Sequence, residues 1–137
     1  MKATSPLDRL SGPGKPLREE APDAKEFAGL VRSGLARLAD AKNTEISMES
    51  RFDVAYSAAH ALGLAALRRM GYRASNRYIV FQALPHTLGL GPEVWKVLAK
   101  CHAVHNRVEY GGGPEIGEQL PKDLIIACES VAAALEK

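Results

Sequence analysis

The chain has 137 residues, a formal net charge of +2, and a composition that is 46% hydrophobic and 25% charged. That length suits one domain, which removes roughly two-thirds of its unfolded surface from water. The charge is too small to argue for nucleic acid by itself, and no stretch approaches the ~20 apolar residues needed to cross a bilayer.

The N-terminus lacks the apolar core of a secretory signal, so the expected location is cytoplasmic. Aromatic residues are scarce at 6%, while Ala and Leu are abundant, a bias towards helix. Cys101 and Cys128 fall in predicted helix interiors and read as buried, reduced thiols; no C-x-x-C spacing suggests zinc or redox chemistry.

Residues 1–22 carry Pro6, Pro13, Pro16 and Pro22 with Gly12 and Gly14 and show no apolar periodicity. They predict an extended or mobile arm, with the folded domain spanning 23–137. From Asp23, a predicted N-cap, Phe27, Leu30, Val31, Leu35 and Leu38 repeat at helical spacing to about Lys42. Ser47 or Ser50 then caps a longer helix that runs to Met70 and closes at Gly71. Its stripe is rich in small residues, including Ala58, Ala59, Gly63 and Ala66, which lets a neighbouring backbone approach and places this helix at the centre of a bundle or a dimer.

Ser75 is the expected cap of a third helix, in which Pro85 predicts a kink or an end near His86. Gly91 and Pro92 start the next helix, running to Tyr110, and the glycine run from Gly111 stops it. Pro121 fits the first turn of a last helix with Leu124, Ile125, Cys128, Val131 and Leu135 along one side. Sustained alternation is missing, so strands are not expected. The fold class is therefore all-α, an antiparallel, up-and-down bundle of four to five helices.

The helix from Pro92 carries the chemistry. Val94, Val97, Leu98, Cys101, Val104 and Val108 form its apolar side. His102, Asn106 and Glu109 follow one edge at spacings of four and three, and His105 lies on the apolar side of that edge. His60, on the long helix, reads as a structural histidine, or else it looks into the same cleft as His102. Fixed charges between Arg51 and Leu90 are Arg51, Arg68, Arg69, Arg73 and Arg77 against Asp53 alone. A basic middle of this kind suits anionic ligands on one surface, or equally two chains meeting head to tail.

The segment C-H-A-V-H-N-R-V-E-Y allows four chemistries. Zinc on a helix prefers ligands four apart, as in H-E-x-x-H, which this segment does not offer. A nucleophilic Cys101 would need a positive environment that its apolar side does not supply. Acid–base cleavage of RNA needs a base, an acid and a phosphate-binding cation. His102 and His105 with Arg107 or Lys100 could supply them. The fourth reading is binding or packing, with the polar edge hydrogen-bonded across a helix interface.

The helix RFDVAYSAAHALGLAALRRMGYR and the residues His102, His105, Asn106 and Tyr110 resemble the HEPN superfamily over about residues 24–137. Many small bacterial members read Arg-x-x-Arg-Asn-x-x-x-Tyr at the second place. The resemblance implies a homodimer whose late helices form a cleft, and either a metal-independent ribonuclease, often a toxin, or a non-catalytic relative that binds RNA, nucleotide or protein. Here His102 and His105 stand where the family has arginines, and Arg107 is followed by glycines rather than by the family's His. The resulting expectation is an RNA- or nucleotide-binding cleft with His102 and His105 as catalytic candidates. Asn106, Arg107, Glu109, Tyr110, Arg51 and Arg69 would be ligand contacts, with no cofactor and no metal. The competing expectation is a non-enzymatic interaction module, one half of a toxin–antitoxin or nucleotidyltransferase pair.

Overall fold

The computed structural model describes residues 5–109 and 117–137, without the side chains of Val108 and Glu109. In chain order these residues form α1 (Pro6–Arg9), β1 (Leu17–Glu19), α2 (Ala24–Ala41), α3 (Met48–Arg69) and β2 (Tyr72–Ala74). They continue with α4 (Arg77–Gln82), α5 (Leu84–Thr87), α6 (Pro92–Glu109) and α7 (Gln119–Leu135). The fold is an all-α bundle carrying a small two-stranded ribbon.

Local chemistry sets most boundaries. Asp23 caps α2 by accepting from the Lys25 and Glu26 amides, and Ser47 caps α3 by accepting from the Ser50 amide at 3.1 Å. Gly71, with φ of 91°, ends α3 in the left-handed conformation that favours glycine. The cap of α4 is Asn76 rather than Ser75: its side chain accepts from the Ile79 amide. Pro85 lies in the first turn of the short α5, so the expected kink is a full break between α4 and α5. No described residue tests the glycine stop after α6.

The hub is α3. Most of its residues between Phe52 and Arg68 are buried, and it packs against α2, α4, α5, α6, α7 and β2. Directions follow from which ends meet. Arg69 at the C-terminus of α3 donates to the Leu135 carbonyl at the end of α7, so these two helices run the same way. Residues at the start of α2 meet the end of α3, as where the Arg69 guanidinium covers the Phe27 ring. The end of α6 meets the start of α3, so α2 and α6 run opposite to it. The result is an up-and-down arrangement with α4 and α5 inserted before α6.

Small residues make the close crossings. A Cβ on Gly34 would lie 2.6 Å from a Leu62 carbon, and one on Gly63 would lie 2.7 Å from Val80 Cγ1. Both are closer than packed carbon atoms tolerate.

The N-terminal segment corrects two expectations. Over residues 5–22 it is no loose arm: it is fastened to the bundle, with Leu7 and Leu17 each 1% exposed in the core and most of its other residues at the surface. Strands are also present, since β1 pairs antiparallel with β2 in the register Leu17–Ala74, Arg18–Arg73, Glu19–Tyr72. The fastening is electrostatic. Arg68, 1% exposed, donates to the carbonyls of Glu20 at 2.9 Å and Ala21 at 2.7 Å, and to Glu26 Oε1 at 2.6 Å. Arg73 pairs with the same two carboxylates, at 2.6 Å from Glu20 and 2.8 Å from Glu26. The two guanidinium groups hold the Glu20 and Glu26 carboxyls below the usual carboxylate range, chiefly through direct hydrogen bonds. The Tyr72 hydroxyl donates to Asp8, tying α1 to β2.

Candidate functional site

Tyr56 organises the seam between α3 and α6. Helical spacing puts it on the buried face of α3 with Phe52 and Ala59, and it is fully buried. A buried phenol requires a hydrogen-bond partner, and its hydroxyl lies 2.8 Å from His102 Nδ1. On the opposite edge of that imidazole, Nε2 lies 3.2 Å from the carboxamide nitrogen of Asn106, which is exposed. A carboxamide N–H only donates, so in this arrangement Nε2 accepts and Nδ1–H points at the phenol oxygen. His102 thus links the sealed core to the surface through both ring nitrogens.

His105, one turn along, stacks on the face of Tyr56 with ring centroids 4.3 Å apart and planes 16° apart. Its Nε2 sits 3.5 Å from Asp53 Oδ1, a carboxylate that is largely exposed. The two imidazoles therefore share one tyrosine, one at its hydroxyl and one over its ring. Burial, then the neighbouring His105, then Arg77 push the His102 pKa below the ordinary histidine value, so its neutral form prevails at pH 7.

Three further groups stand beside this seam: Tyr78 and Arg77, which sequence spacing did not place here, and His60, for which it left the cleft as one of two readings. Tyr78, 41% exposed, has its ring 5.8 Å from that of His102. The Arg77 guanidinium lies 5.8 Å from the Tyr56 centroid, and no carboxylate among the described residues pairs with it. His60 and His102 both approach the Phe81 ring, each with centroids 6.5 Å away. His60 and Arg77 also line a recess of about 230 Å³ together with Leu64 and Asn76. Burial, Arg77 and His102 push the His60 pKa down to about 4. Of the two readings of His60, the structure brings it towards the His102 cluster. The signal for Tyr78 and Arg77 was faint in the sequence: two surface positions at the start of a short helix, after an Asn that caps it.

The remaining candidates divide. Asn106 joins the cluster, and Arg107, the next residue of α6, is exposed. Arg51 Nε donates to the Ala41 carbonyl at 2.8 Å, which ties the end of α2 to the start of α3. Arg69 is excluded from the cluster by position. It lies thirteen residues beyond Tyr56 on α3, on the order of 20 Å along the axis, where it holds Leu135 and covers Phe27. The Glu109 side chain and the whole of Tyr110 lie outside the described residues.

Both thiols are reduced and buried, and burial pushes each up to about 12. A thiol so strongly protonated is no nucleophile at neutral pH. Among the described residues, no three His, Cys, Asp or Glu side chains gather as a metal site. Compared with protein-family models, curated proteins and solved structures, the chain matches none. No described helix is long and apolar enough to cross a membrane.

Proposed function

We propose that the surface where α3, α4 and α6 meet binds RNA or a nucleotide. Tyr78 offers an exposed ring on which a base can stack, and Arg77 offers a cation for a phosphate. The Asn106 carboxamide supplies hydrogen bonds at the same edge. The observation that carries this reading is the chain Tyr56–His102–Asn106, which fixes a neutral imidazole between a sealed phenol and an exposed amide. A packing histidine needs no such exposed partner. The HEPN resemblance supports the same ligand class, and a homodimer would place two such surfaces in one particle.

In this reading the neutral His102 is the proton acceptor for any cleavage by a 2′-hydroxyl, and His105 holds Tyr56 in place from behind. Stacking on an aromatic side chain contributes about 1–3 kcal/mol per base, so Tyr78→Ala should weaken binding about tenfold. Arg77→Ala should weaken it and flatten its salt dependence. Both residues are exposed, so thermal stability should stay unchanged. Fluorescence anisotropy with short single-stranded RNA and with AMP tests this directly. Affinity unchanged in both variants would remove the surface from the function. Where cleavage is detected, His102→Ala should abolish it with the fold intact.

A second reading rests on other residues. Ile126 is 63% exposed, Met70 46% and Leu35 41%, an apolar exposure that suits a non-enzymatic module docking a protein such as an antitoxin or a nucleotidyltransferase. Stable complex formation with such a partner, lost on Ile126→Glu and accompanied by no RNA or nucleotide affinity, would favour it.

A further inference from the structure

The recess of about 230 Å³ beside His60 has walls from three segments. His60 stands on α3, Arg73 and Ser75 come from β2 and the turn after it, and Asn76 and Arg77 come from the start of α4. Sites that enclose a whole drug-sized ligand measure roughly 300–1,000 Å³, so this one has room for a headgroup and not for a whole nucleotide. Among the described residues no carboxylate lines it.

The polar groups on its walls differ in what they have left to offer. Arg73 is committed to Glu20 and Glu26 and adds no free donor. Arg77 pairs with no carboxylate among the described residues. Its guanidinium lies over the Tyr56 ring, a contact that uses its face and leaves N–H groups on its edge to donate. The Ser75 hydroxyl accepts from the Asn76 carboxamide nitrogen at 3.4 Å, so its own proton is open. The Asn76 oxygen accepts from the Ile79 amide at 2.9 Å, which holds the side chain while its nitrogen keeps a second proton. His60 is half-buried, and neither of its ring nitrogens has a hydrogen-bond partner among the described residues. Burial, then Arg77, keep that ring neutral at pH 7, with one N–H to give.

A guanidinium, an imidazole N–H, a hydroxyl and a carboxamide, with a positive charge that no carboxylate balances, form a donor set for phosphate. A phosphate monoester brings three acceptor oxygens and close to two negative charges at neutral pH. An internal phosphodiester brings one charge and fewer free oxygens, and it must continue on both sides.

We propose that this recess seats a phosphate monoester. Resting on the RNA or nucleotide reading of the adjoining surface, that group is the phosphate of a free nucleotide or of a phosphorylated RNA end, not of an internal stretch. Arg77 neutralises the charge, and Ser75, Asn76 and His60 fix the oxygens. Tyr78, the next residue of α4, takes the base outside the recess.

The test is isothermal titration calorimetry of the full chain with one tetraribonucleotide bearing a 5′-phosphate, a 3′-phosphate or neither, and with AMP and adenosine. A phosphorylated member should bind about tenfold or more tighter than its unphosphorylated counterpart. A preference confined to AMP identifies a free nucleotide, and one shown by the oligonucleotides identifies an RNA end. Ser75→Asp, at an exposed position, should abolish the preference with the melting temperature unchanged, whereas Tyr78→Ala should weaken both members of each pair alike. Inorganic phosphate, followed by NMR, should move the His60 ring resonances saturably and raise its titration midpoint above about 4, since a bound anion favours the imidazolium. The charged and titratable groups beside His60 are Arg77 on α4, His102 on α6 and Arg73 on β2. None of them is a carboxylate that could cause that rise. Equal affinity with and without phosphate, while Tyr78→Ala still weakens binding, overturns the recess and leaves the surface reading standing. Saturable phosphate at His60 with no affinity for RNA or nucleotide supports the recess and overturns the surface reading. A preference that survives Ser75→Asp places the phosphate elsewhere and overturns the proposal.

Discussion

Two clusters of polar side chains sit on α3, and they treat charge in opposite ways. At its C-terminal end, Arg68 and Arg73 meet Glu20 and Glu26 in a closed set whose charges cancel. Nearer its N-terminal end, Tyr56, His102 and Asn106 form an open chain that starts in the core and ends at solvent. The first arrangement has few remaining valences for a ligand; the second presents an amide, a ring and a cation outward. The same residue type therefore means different things a few turns apart. Arg68 is a fastener, whereas Arg77 is available to bind.

The largest effect should come from breaking the closed set. Arg68→Ala leaves the Glu20, Ala21 and Tyr72 carbonyls without their donor while Arg73 still pairs with Glu20 and Glu26, and the lost buried hydrogen bonds should cost about 3 kcal/mol. Urea denaturation should show a loss of that size. A loss below ~1 kcal/mol would mean the ribbon is not held by this cluster.

The open cluster should be more sensitive to shape. Gly63→Ala pushes a carbon into Val80, whose β-branched side chain has little rotamer freedom, and overpacking costs about 1–3 kcal/mol. The displaced α4 carries Tyr78 and Phe81, so the His102 ring resonances should shift as well. Unmoved resonances would separate α4 from the site.

Acid should weaken the open cluster through His60. Its native pKa of about 4 lies below the ~6.5 of an unfolded histidine, so the unfolded chain binds more protons between those values. Stability from this group is complete above pH ~6.5 and is lost as pH falls towards about 4. The loss is on the order of 2 kcal/mol, discounted for partial exposure. His60→Leu should flatten the stability profile across that window; an unchanged slope would place the titrating group elsewhere.

The smallest effect should be Tyr56→Phe, which removes one hydrogen bond and leaves the stacking of His105. A cost of about 1 kcal/mol is expected, with a change in the His102 titration read by NMR. A native-like His102 titration in that variant would show that the phenol does not position the imidazole.

Much of the frame was legible in the sequence because its causes are local. Asp23 and Ser47 cap their helices, Gly71 closes α3 and Pro92 starts α6, each acting on amides or dihedrals within a few residues. The i, i+4 relation of His102 and Asn106 was also readable, and the structure turns it into a hydrogen bond. What spacing could not give was the partner on the other helix. Tyr56 lies 46 positions from His102, and nothing in the period of α3 distinguishes it from a core aromatic. The block of arginines misled for the same reason. Counted along the chain, it looked like one basic surface, but Arg51, Arg68, Arg69 and Arg73 are each spent on a carbonyl or carboxylate from a distant segment.

By itself, then, the sequence determined the four long helices, the ends set by Asp23, Ser47, Gly71 and Pro92, the buried thiols and the His102–Asn106 edge of α6. Those follow from backbone geometry and hydrophobic periodicity, which act over one or two turns. Only the tertiary structure decided that Leu7 and Leu17 of the N-terminal segment join the core and that Arg77 and Tyr78 stand beside His102. Both depend on contacts between residues far apart in the chain, such as Glu26 with Arg68, 42 positions away. Such pairs leave no periodic trace, because charge complementarity depends on where the chain returns and not on local spacing.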